Sequence, residues 1–259
     1  VKTFDVAAQP GAAARWQRVR AHAALELQMM LRNGEQLLLT IILPVGLLLG
    51  LSLSTVVDLG VADDRISRLD VVVPGMLALA VLSTAFTGLA IQTGFERRYG
   101  VLKRLGATPL SRGDLLSGKV CAVLCVEAIQ VTLLTVLGAV LGWRPSTIGL
   151  FIALGFIVVG TAAFASLGLL LAGTARAEAT LAGANVIYLL LLAAGGIVVP
   201  AAELPEAAQS WVQWLPSSAL AEGLRDATIA GSVNSLELLV LAVWFAAGAA
   251  LASRYFRWD

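Results

Sequence analysis

The stretch ERRYGVLKRLGATPLSRGDLLSGK, residues 96–119, decides between two folds. Gly113, Gly118 and Lys119 within it have the G-x-x-x-x-G-K spacing of a phosphate-binding loop, which would place a nucleotide-binding α/β domain around them. The next residue is Val120, where such a loop needs a Ser or Thr hydroxyl for magnesium. A phosphate loop also follows a buried strand, whereas this stretch lies between two runs that could each dissolve in lipid. The spacing therefore reads as coincidence. No cofactor is expected on this chain, and by itself it is not expected to hydrolyse ATP.

Composition points the same way. Of the 259 residues, 58% are hydrophobic and 14% charged, against about 45–50% apolar and about 25% charged in soluble domains. A chain with so few polar groups could not cover its surface in water, so a membrane protein is expected. The net charge of +1 says little about partners, and nucleic acid is not among those expected. Cys121 and Cys125, one helical turn apart in an apolar run, read as reduced and buried. With no further ligand nearby and a single histidine, His22, no metal site is expected.

A hydrocarbon core about 30 Å thick takes roughly 17–25 apolar helical residues to cross. Six segments meet that length: 37–57, 71–94, 119–141, 148–173, 181–199 and 236–255. The fold expected is all-α and polytopic, with 1–36 as a tail and interfacial helix and 37–259 as one transmembrane domain. No cleavable signal is expected before the first span, because the lead is too polar and too charged. With both termini in the cytoplasm, fourteen Lys and Arg lie inside and only Arg65, Arg68, Arg144 and Arg225 outside. The positive-inside rule selects that orientation.

Trp16, Val19, Ala23, Leu27 and Met30 recur at three- and four-residue steps with Arg15, Arg18 and Arg20 beside them. The pattern predicts an amphipathic helix on the inner leaflet, its arginines near lipid phosphates; packing on the protein's own cytoplasmic side is the alternative. Gly46 and Gly50 in the first span, and Gly138 and Gly142 in the third, have the small-residue spacing of helix contacts, some of which could join subunits. Residues 96–105 predict a short basic helix about 15 Å long, ended by Gly106 and Pro109. Ser111, with Asp114 three residues on, then predicts a capped entry into the third span. Six positive charges would suffice as a topological anchor; the punctuation is more than an anchor needs.

Two motifs resemble the membrane subunit of the ABC type-2 exporters, the group that includes daunorubicin-resistance-like permeases and polysaccharide or lipid exporters. The first is Glu96-Arg-Arg-Tyr-Gly100-Val-Leu-Lys-Arg-Leu105-Gly-Ala-Thr108-Pro109-Leu-Ser111, followed by Gly118-Lys119; Val101 stands where many members have Thr. The second runs from Asn185 through Tyr188, Gly195-Gly196, Pro200, Leu204-Pro205 and Leu215-Pro216 to Glu222-Gly-Leu-Arg225. The resemblance implies that Glu96, Arg97, Arg98, Gly100, Leu102, Lys103, Arg104, Leu105, Thr108 and Pro109 form a coupling helix and its brace. It implies two separate ATPase subunits that bind ATP and Mg, and a second permease subunit, identical or different. It also implies short re-entrant helices outside the membrane between spans five and six, marked by Pro200, Pro205, Trp214, Pro216 and Arg225. The expected setting is the plasma (inner) membrane of a prokaryote. The expected substrate is an amphipathic drug, lipid or glycolipid, moved outward by alternating access.

Inside the spans, Glu127 and Gln130 in the third are candidates for a polar spot on the transport path or for structural hydrogen bonding. Asn185 and Tyr188 are read as sharing a face of the fifth span, at a subunit interface, a cavity or a structural hydrogen bond. Gln92 needs no special role, and Arg176 and Glu178 are a candidate second ATPase contact. A membrane-embedded lipid-modifying enzyme would require a cluster of His, Asp or Glu at one surface, and an ion-coupled carrier several ionisable residues within spans. The sequence supplies neither.

Overall fold

The computed structural model describes residues 13–53, 67–108 and 110–256, and among them every regular element is helical. In chain order these are α1 (Arg15–Arg32), α2 (Gly34–Leu53), α3 (Arg68–Val81), α4 (Leu89–Arg98), α5 (Val101–Gly106), α6 (Arg112–Leu141), α7 (Thr147–Thr174), α8 (Ala177–Ala194), α9 (Glu206–Val212), α10 (Pro216–Ala230) and α11 (Ser235–Tyr255). A π-helical stretch, Leu82–Gly88, joins α3 to α4, so the two form a continuous rod from Arg68 to Arg98. That rod and the helices α6, α7, α8 and α11 are long and apolar enough to cross a membrane. Thr40–Leu53, within α2, is a shorter apolar helix.

The helix ends follow their sequences. Ser67 caps α3 by accepting from the Asp70 amide while Asp70 accepts from the Ser67 amide, and Ser111 and Asp114 do the same at α6. Ser146 caps α7 and Asn234 caps α11. Pro216 opens α10 at its first turn, where a missing N–H costs nothing.

The core is the α3–α4 rod, in which every residue from Val71 to Phe86 is buried. Around it stand α2, α6, α7 and α10; α11 lies along α7, and α8 rests on α4. In lipid the hydrophobic effect does not draw helices together, so close packing and polar contacts carry the association. The rod makes such polar contacts at its middle. Thr84 donates to Gln130 Oε1 at 3.0 Å, and Gln130 donates to the Thr40 carbonyl at 3.3 Å. Glu127 contacts Thr161 of α7 instead, at 2.5 Å.

Three expectations are revised. The helix predicted over 96–105 is broken at Gly100, whose φ of +70° is open to glycine at little cost; Glu96, Arg97 and Arg98 finish α4, and α5 is a separate turn and a half. α8 ends at Ala194, before the predicted end of the fifth span, and gives way to turns at Gly195 and Gly196. α1 lies along α6 with His22, Glu26 and Met30 as its buried residues, while Trp16 of the predicted apolar stripe is exposed. Arg15 and Arg18 reach Asp114 at 2.9 and 2.8 Å. α1 is therefore bound to the protein through a mixed face, in which His22 and Glu26 join Met30 and the half-buried Leu27 of the apolar stripe.

Arg225, counted among the outer charges and expected in a re-entrant segment, lies in α10. It is 3% exposed, on an α10 that packs against α3 and α7. Its guanidinium donates to the Gly196 and Ile197 carbonyls at 2.8 and 2.7 Å and to Glu222 at 2.8 Å. Glu222 accepts the Ala201 amide as well, so one ion pair fixes the turns between α8 and α9. Pro200 and Pro205 precede the short helical turns there, and Trp211 and Trp214 are exposed.

Candidate functional site

Where α1, α4 and α6 meet, four side chains close a ring. The Lys119 ammonium donates to Glu26 at 2.9 Å and to Glu96 at 2.6 Å. The Gln92 amide donates to the other oxygens of the same two carboxylates, at 2.7 and 2.9 Å. Lys119 is 1% exposed and Glu26 is 1% exposed, so the ring is shielded from water. Desolvating such ions costs several kcal/mol each unless they are paired and hydrogen-bonded. Both conditions are met here for Lys119 and Glu26.

The ring explains the phosphate-loop mimicry. A side chain at Gly118 would meet the His22 ring at 2.5 Å, so glycine there lets α1 approach α6, and Lys119 follows it to neutralise the carboxylates. His22 Nε2 lies 3.3 Å from Glu26 Oε1. Burial, reinforced by the Lys119 ammonium, holds the imidazole below its ordinary pKa, so at neutral pH it is uncharged. Glu26, Gln92 and His22 were not among the residues singled out from the sequence as a site. Their one signal was the i, i+4 spacing of His22 and Glu26 beside the apolar stripe of that helix.

From Glu96 the chain is tied down residue by residue. Glu96 holds Lys119 of α6; Arg97 donates to the Ala172 and Ala175 carbonyls at 2.7 and 2.6 Å, closing the C-terminal end of α7; Arg98 pairs with Glu178 of α8. Cations suit the negative end of a helix, so Arg97 is also favourably placed against the α7 dipole. Past Gly100 the pattern inverts. Leu102 is buried and anchors α5, while Lys103 and Arg104 are exposed and Leu105 is half-buried. Thr108 donates to the Leu105 carbonyl and braces the following turn. Pro109 lies outside the described residues. Beside this turn a groove of about 370 Å³ runs between α1 and α5, reached by Arg18, Leu25, Leu105 and Thr108.

The remaining candidates are scattered. Gly46 and Gly50 have no side-chain neighbour within 4 Å on this chain, whereas Gly138 faces Val73 and Gly142 ends α6 with φ +110°. Asn185 is exposed and donates to its own helix at Leu181, while Tyr188, one turn on, is 9% exposed. Glu127 and Gln130 are both buried among helices. No group of His, Cys, Asp and Glu among the described residues could hold a metal ion.

The described residues form a bundle of membrane-length helices with a small, internally braced and outwardly basic elbow at one end. Residues 17–229 match the family of ABC-2 type transporters, and the chain belongs to that family. It is 28% identical over 226 residues to YvfS of Bacillus subtilis (strain 168), a protein named as a transport permease, covering 83% of this chain and 87% of that one. Membership of the family implies association with ABC ATPase subunits.

Proposed function

We propose that the chain is the six-span permease of an ATP-driven exporter, with both termini in the cytoplasm of a prokaryote and α2 as the first span. Two separate ATPase subunits bind ATP and Mg and dock on α5, through Lys103, Arg104 and Leu105, and on the adjoining groove beside α1. The observation that carries this reading is the contrast across Gly100. Glu96, Arg97 and Arg98 are each tied to a different apolar helix, while Lys103 and Arg104 project outward. A push on α5 is thereby delivered to α6, α7 and α8 together, as rigid-body transmission requires.

A second permease subunit covers the faces of α2 and α8. An amide on an apolar helix surface is expensive against lipid, and exposed Asn185 meets that cost by facing protein or water. Gly46 and Gly50 leave α2 open for a close helix approach. The cavity between the two subunits alternates its access and moves an amphipathic drug, lipid or glycolipid outward. The test is reconstitution of the chain with its ATPase in proteoliposomes. Movement of a fluorescent amphipathic substrate should require both the ATPase subunit and Mg-ATP; equal movement by the chain alone would contradict the proposal.

A further inference from the structure

The His22 ring is 4% exposed and lies against Gly118, yet neither of its nitrogens has a well-formed hydrogen bond. Buried polar groups are nearly always paired, so one that is not calls for an explanation. The charges that act on it come from three helices: Glu26 of α1, Lys119 of α6 and Glu96 of α4. Arg18, one turn earlier on α1, and Asp114 of α6 are taken up with each other. On the side of α5, His22 lines the groove of about 370 Å³ together with Leu105, Thr108 and Leu110, which carry no charge. His22 thus stands between the ion-paired ring of side chains and the surface assigned to the ATPase.

No carboxylate oxygen beside the imidazole is free to receive a second proton. Glu26 Oε1, 3.3 Å from His22 Nε2, already accepts from Lys119 at 2.9 Å, and Glu26 Oε2 accepts from Gln92 at 2.7 Å. A protonated ring would place an imidazolium next to the Lys119 ammonium in a space shielded from water. Burial and that ammonium oppose the charge more than Glu96 and the Leu115 backbone favour it. The ring escapes the cost by leaving the cluster, which draws α1 away from α6. Detached α1 carries an imidazole of ordinary pKa, about 6.5, whereas attached α1 holds it lower. Protons therefore favour detachment: the attachment is at full strength above the ordinary value and weakens as pH falls below it. His22 is the only histidine of the chain, and histidine is the side chain whose ordinary titration falls near cytoplasmic pH.

We propose that His22 is a proton-operated latch on the ATPase dock: acidification of the cytoplasm frees α1 from α6, opens the groove that α1 shares with α5 and loosens the ATPase. The proposal rests on the docking reading given above, but its first step is measured on the permease alone. Cys121 and Cys125, expected to be buried, are exposed on α6, so thiol probes would report on that helix and backbone exchange is the readout for α1. Hydrogen exchange of the purified full chain in nanodiscs, corrected for the intrinsic effect of pH, should rise several-fold across residues 15–32 between about pH 7.5 and about pH 5.5. In His22→Gln and His22→Phe, whatever their level of exchange, the acid-induced rise should disappear. Retention of the ATPase on the tagged permease should fall several-fold over the same interval in wild type and stay constant in both variants. Wild-type exchange that is unchanged or slower in acid, or a rise that persists in both variants, would overturn the latch. ATPase retention that ignores pH while α1 opens would overturn its link to docking. An ATPase that binds at neither pH would contradict the docking reading, while α1 release that depends on His22 would still establish the latch.

Discussion

Replacing Lys119 with methionine is expected to lower the stability of the protein by about 3–5 kcal/mol, the cost of removing one partner from a buried ion pair. Lys119 is the only cation in contact with Glu26 and Glu96 among the described ion pairs, and its ammonium is wholly shielded. Methionine fills much of the same volume, so the loss is electrostatic rather than a cavity. The two carboxylates would be left close together with only the Gln92 amide between them. The midpoint of thermal unfolding in detergent, followed by tryptophan fluorescence, should fall by roughly 10 °C. Adding Glu26→Gln and Glu96→Gln to Lys119→Met should restore most of the loss, since a neutral network no longer carries unpaired charge. An unchanged midpoint for Lys119→Met alone would show that the ring does not hold α1 to the bundle.

Arg225→Leu should cost a similar amount, about 3–5 kcal/mol, but in a different place. The substitution strands Glu222 and removes the donors that hold the Gly196 and Ile197 carbonyls, so the turns between α8 and α10 lose their common anchor. Hydrogen exchange should rise across residues 195–230 and remain at its wild-type level in α4, α5 and the start of α6. Glu222→Gln should be milder, because its amide oxygen can still accept from Ala201 and Arg225. If exchange rose equally at both ends of the bundle, Arg225 would be a general stability residue rather than the anchor of this segment.

The spans were legible because length and hydropathy are properties of consecutive residues. Five of the predicted segments overlap membrane-length helices, and the remaining one, 37–57, overlaps α2. The Ser111–Asp114 cap was legible for the same local reason. Polar packing was not. Glu26 and Lys119 are 93 positions apart, and nothing along the chain marks them as partners. Gln92 looked unremarkable because its role exists only between two carboxylates that other elements supply. The partners of Arg225 were not legible either, because the Gly196 and Ile197 carbonyls meet it only when the segment folds back. The break at Gly100 did have a local signal: basic residues followed by glycine are a helix-stop pattern. The continuous basic run obscured it.

Residues before Gly100 bind the chain to its own bundle, and in the function proposed above the exposed residues after it, Lys103 and Arg104, bind the ATPase. Co-purification of the tagged permease with its ATPase subunit tests that division directly, comparing wild type with the Lys103→Glu, Arg104→Glu double variant. The double variant should fold with a wild-type thermal midpoint yet retain far less ATPase. Undiminished ATPase retention would contradict it.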